Sequence, residues 1–99
     1  MALTSKQRKK LRGMANTMDP VLIIGKNDIN EGVVQQTEDA LEAHELIKGS
    51  VLETSDLTAR EACDELVRRT GAEPIQVIGR KFVLYRETHR DDVKKISID

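Results

Sequence analysis

The 99-residue sequence holds a single cysteine, Cys63, which excludes an internal disulfide and any thiolate cluster for zinc or iron–sulfur chemistry. Phe82 and Tyr85 are the only aromatic residues and tryptophan is absent, so a platform on which nucleobases stack in succession is excluded. No apolar run approaches the length of a membrane span, and the basic start is not followed by the apolar stretch that a secretory signal needs. A soluble, cytoplasmic protein with no membrane partner is expected. Proline and glycine are sparse, with 2 and 6 residues, and there is no internal repeat, long linker or low-complexity segment. One domain over residues 1–99 is expected, with its core over about 3–86 and a charged tail over 87–99. Neither a Walker loop nor a dinucleotide fingerprint occurs.

Charge is abundant but unevenly spread. Lysine plus arginine and aspartate plus glutamate nearly cancel, at 16 and 17 for a net charge of −1. The first twelve residues nevertheless carry Lys6, Arg8, Lys9, Lys10 and Arg12 with no acid, while Lys26 is the only lysine or arginine from Gly13 to Ile47. A polyanion responds to local potential rather than to the total, so a basic face can coexist with an acidic back.

Hydrophobic periodicity places the elements. Thr4 or Ser5 can cap a helix running to about Asn16, with Gln7, Leu11, Met14, Ala15 and Met18 as its inner stripe and Lys6, Lys9, Lys10 and Arg12 opposite. Val21–Ile24 is continuously apolar, as in a strand buried on both faces. Gly25-Lys26-Asn27-Asp28 is a loop, and a second helix with an acidic exterior spans roughly Ile29 to Glu45. A strand over Leu46–Glu53 contains Gly49, which marks a bulge or a close backbone approach. Thr58-Ala59-Arg60-Glu61 has capping-box form, and Gly71 stands where that third helix should stop. After Pro74, Ile75–Ile78 and Lys81–Arg86 flank Gly79-Arg80 as a hairpin. The order helix-strand-helix-strand-helix-strand-strand predicts a single α+β domain, an α/β sandwich whose mixed sheet is backed by helices. The tail from Glu87 has little apolar content and is expected to be extended or partly mobile.

Catalytic chemistry finds little support. His44 falls on the apolar stripe of its helix, His89 lies in the tail, and neither has an obvious partner. Cys63 shares a stripe with Leu66 and Val67, as a buried inert thiol does. Asp91-Asp92 and Asp39 with Glu42 fit solvated charge better than a metal site. No cofactor or metal is expected, nor enzymatic activity.

Several ordered segments resemble the CRM (chloroplast RNA splicing and ribosome maturation) domain in its minimal bacterial YhbY-like form. They are Thr4-Ser5-Lys6-Gln7-Arg8 with Leu11-Arg12, Pro20 before a strand ending at Gly25, Glu31-Gly32-Val33, the run Ala40–Lys48, Thr70-Gly71-Ala72, Gln76–Gly79 and Val83–Arg86. The resemblance runs from about Leu3 to Arg86. It implies a four-stranded mixed sheet with three helices, similar to the carboxy-terminal domain of bacterial translation initiation factor 3. It also implies binding of structured RNA, which for the family means precursor large-subunit particles in bacteria and group II introns in plant organelles. The family's loop after the first strand has the form Gly-x-x-Gly, and here Asp28 stands in place of the second glycine. Gly49 stands where the family usually carries a β-branched residue.

The deep, narrow major groove of A-form RNA directs a protein to shape, phosphates and 2′-hydroxyls. The expected contact set is therefore cationic: Lys6, Arg8, Lys9, Lys10 and Arg12 on the first helix; Gly25, Lys26 and Asn27 in the loop; Lys48 at a strand edge; Arg80 and Lys81 in the hairpin; and Arg86. Asp28 competes for the loop's N–H donors as a helix cap, and Lys81 and Arg86 could equally be charges blunting a sheet edge. Phe82 is expected in the core, Tyr85 either there or as a partly exposed contact. Large-subunit rRNA or a precursor 50S particle is the expected partner of a monomeric assembly factor, with ribosomal proteins as further partners. The alternative is a protein-interaction module whose acidic second helix, through Glu38, Asp39 and Glu42, docks a basic ribosomal protein or other assembly factor.

Overall fold

Helix starts in this chain are set by side chains that take over backbone hydrogen bonds. Thr4 accepts from the Gln7 N–H at 3.1 Å while the Gln7 side chain accepts from the Thr4 N–H at 2.9 Å, a reciprocal cap repeated by Thr58 and Glu61. In the computed structural model, which describes residues 3–98, the elements are α1 (Ser5–Ala15), β1 (Leu22–Ile24), α2 (Glu31–His44), β2 (Leu46–Val51), α3 (Ala59–Thr70), β3 (Glu73–Ile78) and β4 (Lys81–Tyr85). Order and class are those expected. Gly71, at φ 74°, ends α3 in the left-handed conformation that glycine adopts without strain.

The sheet order is β1-β2-β4-β3, with β1 parallel to β2 and the other neighbours antiparallel. One face is fully covered: Leu22, Ile24, Ile47, Phe82 and Leu84 pack against Leu41 of α2 and Ala62, Cys63 and Leu66 of α3. On the other face α1 lays Leu11 and Ala15 over Leu46, Val83, Tyr85 and Ile75. Phe82 and Tyr85, three residues apart on β4, thus serve opposite cores, and Tyr85 is buried rather than an exposed contact. Burial, then the nearby Glu45 and Glu87 carboxylates, raises the Tyr85 pKa.

Gly49 marks a close approach, not a bulge. It pairs with Phe82 across β2 and β4, and a Cβ at this position would stand 2.2 Å from Phe82 Cζ. The irregularity in the sheet lies instead between Pro74 and Gln76, in β3, an edge strand that tolerates proline's missing N–H.

Two expectations fail. Val21–Ile24 is not buried on both faces: Leu22 and Ile24 are, but Val21 and Ile23 are 42% and 54% exposed, because β1 is an edge strand that α1 does not reach over. Nor does the described tail trail freely. Glu45, fully buried at φ 64°, accepts the Thr88 N–H at 2.8 Å and the Ile96 N–H at 2.6 Å, while Glu42 accepts the His89 N–H at 2.9 Å. Ile96 and Ile98 then pack beside α1. Acceptors from the end of α2 thus satisfy backbone donors of the tail.

Two outcomes follow from these contacts. Gly49→Ala forces the Phe82 ring or the β2 backbone to move and should lower unfolding free energy by about 1–3 kcal/mol, measured by denaturant titration. Glu42 has its pKa lowered to about 2, chiefly by the His89 N–H and then by Arg86. The folded chain therefore binds this proton less readily than the unfolded chain, so the stabilisation is complete above about pH 4.5 and lost as pH falls toward 2. Glu42→Gln should flatten the acid limb of the stability–pH curve, and an unchanged limb would remove Glu42 from the account.

Candidate nucleic-acid interface

Partners divide the basic residues into two groups. Arg8 donates to Glu73 Oε2 at 3.1 Å and to the Pro74 carbonyl at 2.7 Å, fastening α1 to the start of β3. Arg86, with a side chain only 17% exposed, bonds Glu38 at 2.8 Å, Glu42 at 2.9 Å and the Thr70 carbonyl at 2.7 Å, and the Glu38 contact leads in raising its pKa. Arg69 pairs with Glu31, Arg68 with Glu65, Arg90 with Asp92 and Lys95 with Glu87. Arg80 approaches Glu53 at 3.6 Å. Among the described residues, by contrast, Lys6, Lys9, Lys10, Arg12, Lys26, Lys48 and Lys81 have no acidic partner. Arg60 on α3 and Lys94 in the tail likewise have no acidic partner among the described residues.

Topology then decides which unpaired cations share a surface. Lys48 and Lys81 point to the face of the sheet that carries α1, because Lys48 opposes Val83 and Lys81 opposes Ser50 in the β2–β4 register. The two are diagonal neighbours in that ladder. Helix α1 crosses the sheet over the starts of β2 and β3: Met14 and Met18 line a cleft with His44, Leu46 and Ile96, while Arg8 holds β3. Arg12, one turn beyond Arg8, lies on the flank of the helix away from that cleft. Lys6, Lys9 and Lys10 are exposed on the helix's outer side.

Lys26 and Arg80 stand at the far end of the strands. The Leu52 N–H bonds the Ile24 carbonyl and the Val51 N–H bonds the Arg80 carbonyl, both at 2.8 Å, so the loop after β1 and the hairpin turn flank the end of β2. In the loop the Asp28 N–H bonds the Gly25 carbonyl at 2.9 Å, closing a turn with Lys26 and Asn27 exposed at its tip. Asp28 adopts φ 53°, the left-handed conformation that glycine supplies most easily and aspartate tolerates. It does not cap α2. Asn30 does so by accepting from the Val33 N–H at 2.9 Å, and the Asp28 carboxylate instead accepts from the Ser55 hydroxyl at 2.6 Å. Its negative charge is therefore turned toward the loop before α3.

Several sequence expectations change with these placements. Arg8 and Arg86 have their charges balanced inside the fold, which leaves them positioning roles. Strands β2 and β4 are interior, so Lys48 is not at a sheet edge and neither Lys81 nor Arg86 blunts one. The acids assigned to a docking helix are largely engaged, Glu38 and Glu42 by Arg86 and Asp39 by Gln35. His44 is exposed rather than buried on a stripe, and the His89 ring nitrogen lies 3.3 Å from Glu42. Cys63 is buried, and its thiol pKa is pushed up to about 11 by that burial, so it stays protonated and inert. No group of three or more metal-ligating side chains occurs among the described residues. Sequence reasoning missed Val21, Ile23 and Ile78, which are exposed, and Ser50 and Gln76, which are half-buried, all on the sheet face that carries Lys48 and Lys81. The signal for them was the two-residue alternation in each strand, but only strand order says which alternate face stays open.

A four-stranded mixed sheet with three helices, one side of which carries cations without acidic partners among the described residues, defines a small α+β domain. Comparison with known proteins makes this specific: the CRS1 / YhbY (CRM) domain matches residues 3–86, and the chain belongs to that family. It is 37% identical over 86 residues to the protein named "Probable RNA-binding protein YqeI" of Bacillus subtilis (strain 168), covering 87% of this chain and 90% of the relative. It is 37% identical over 92 residues to a protein named "RNA-binding protein" of Haemophilus influenzae, covering 93% of each. The solution structure of the protein SAV1595 from Staphylococcus aureus superposes with a TM-score of 0.75 at 38% identity, over 96% of this chain and all of that one.

The division between paired and unpaired cations is testable. Arg86→Ala leaves Glu38 and Glu42 without their guanidinium partner and should cost about 2 kcal/mol of stability, whereas Lys9→Ala, at a cation without an acidic partner, should cost less than about 0.5 kcal/mol. Thermal unfolding of the two variants checks both halves.

Proposed function

We propose that this protein is a non-catalytic, monomeric RNA-binding factor that engages structured large-subunit rRNA, in the cytoplasm, on precursor 50S particles during assembly. One observation carries the proposal: on the α1 side of the sheet, Lys6, Lys9, Lys10, Arg12, Lys48 and Lys81 have no acidic partner among the described residues, whereas most other arginines are neutralised by carboxylates. Unpaired cations on one surface can displace the counterions condensed on a phosphate backbone, and that release drives binding. The names of the relatives in Bacillus subtilis and Haemophilus influenzae support RNA as the ligand. Lys26 and Arg80 extend the track to the strand ends, where Glu53 moderates Arg80. Ribosomal proteins would then be neighbours on the particle. No helix among the described residues is long and apolar enough to cross a membrane.

Binding to large-subunit RNA should weaken steeply with salt, and the slope of log K against log salt should fall by roughly 0.9 for each phosphate contact removed. Replacing Lys6, Lys9, Lys10 and Arg12 by Glu should reduce affinity on the order of a hundredfold and release the protein from precursor 50S particles in a sedimented lysate. A flat salt response, or the reversed variant still travelling with those particles, refutes the proposal.

A further inference from the structure

The far half of the α1-bearing face is left without a covering element. Across it the register aligns Ile23 of β1, Ser50 of β2, Lys81 of β4 and Ile78 of β3 in one row. Lys48 and Gln76, which flank Val83, belong to the next row. Ile23 and Ile78, at the two ends of the first row, are 54% and 65% exposed. Ile23 and Ile78 thus stand at the two edges of the row, with the Ser50 hydroxyl and the Lys81 ammonium between them.

We propose that this open row, together with Lys48 and Gln76 of the next, is a docking face for the minor groove of an RNA double helix, with Ile23 and Ile78 against ribose rings, Ser50 and Gln76 hydrogen-bonded to 2′-hydroxyls, and Lys48 and Lys81 directed at phosphates. This rests on the RNA-binding function proposed above and names the form of RNA and the surface that meets it. Charge selects a polyanion, since neither row carries an acid. Both aromatic residues are buried elsewhere, so the face offers unpaired bases nothing to stack on. Width selects the duplex: the row spans three strand spacings, about 14 Å, too broad to enter the minor groove of B-form DNA at about 6 Å. The minor groove of an A-form helix is wide, shallow and lined with 2′-hydroxyls. A flat sheet can lie on it, whereas it cannot enter the deep major groove.

The experiment compares the full chain's affinity for a short RNA duplex, a DNA duplex of the same sequence and one unpaired RNA strand, and repeats it with Ile23→Ser and Ile78→Ser combined. The wild type should prefer the RNA duplex about tenfold over the other two ligands, and the double variant should lose most of that preference, about tenfold in affinity, with an unchanged unfolding curve. Comparison of the ligands on the wild-type chain needs no variant, so a folding defect cannot hide the answer. Equal binding of unpaired RNA or of DNA overturns the proposal, as does a double variant that keeps the duplex preference. Wild-type dimerisation that the isoleucine substitutions abolish would assign the face to a second copy and overturn it too. If the isoleucine variant binds the RNA duplex as tightly as the wild type but binding vanishes when Lys6, Lys9, Lys10 and Arg12 are reversed, the general function stands and this face is wrong. If the wild type binds none of the three ligands, both proposals fail.

Discussion

Three helices cannot cover both faces of a four-stranded sheet, and the remaining architecture follows from how they are shared out. Helices α2 and α3 together close one face over Phe82, Leu84 and Ile47, which leaves α1 alone for the other. There Leu11 and Ala15 reach only the half near the starts of β2 and β3. The Gly49–Phe82 contact sustains this arrangement, because a side chain at Gly49 would lift the ring that anchors the closed side. A sheet packed on one side and half open on the other is what antiparallel pairing permits. It gives the molecule a flat surface without a separate loop or lid.

Charge follows the same division. Six of the arginines, Arg8, Arg68, Arg69, Arg80, Arg86 and Arg90, approach carboxylates, as expected of a planar fork that matches a carboxylate. Lysines 6, 9, 10, 26, 48 and 81 do not, and they project from α1, from the open sheet and from the loop beyond β1. A near-neutral chain thereby separates its charge, with cations that lack acidic partners on α1, the open sheet and the loop, and ion pairs holding α1, β4 and the tail in place elsewhere. Glu42 and Glu45 have the most specialised part. Standing at the end of α2, they accept the backbone N–H groups of Thr88, His89 and Ile96 and convert a polar tail into a docked segment.

Much of the fold was legible because its signals are local. Thr58 with Glu61, Gly71 at a helix end, and the Gly79-Arg80 turn act within a few residues of themselves, and each element they imply is present. The failures share a physical cause. Val21–Ile24 is apolar throughout, and nothing in its composition distinguishes a central strand from an edge strand facing solvent. Glu45 has the outward character of its acidic neighbours, yet a left-handed backbone at that residue turns its carboxylate inward to donors more than forty residues away. Asp28 combines both kinds of information. Its departure from the family's glycine was visible, but its tolerance of the left-handed turn and its bond to Ser55 were not.

The amino-acid sequence by itself determined the order and kind of the elements, the family and the stock of cations, because capping, periodicity and turn chemistry operate over a handful of residues. Tertiary structure alone decided which cations remain without partners and which strand faces remain uncovered. Ion pairing and helix-to-sheet coverage join residues distant along the chain: Arg8 is claimed by Glu73 and Arg86 by Glu38, while Lys48 and Lys81 are brought side by side by the pairing of β2 with β4.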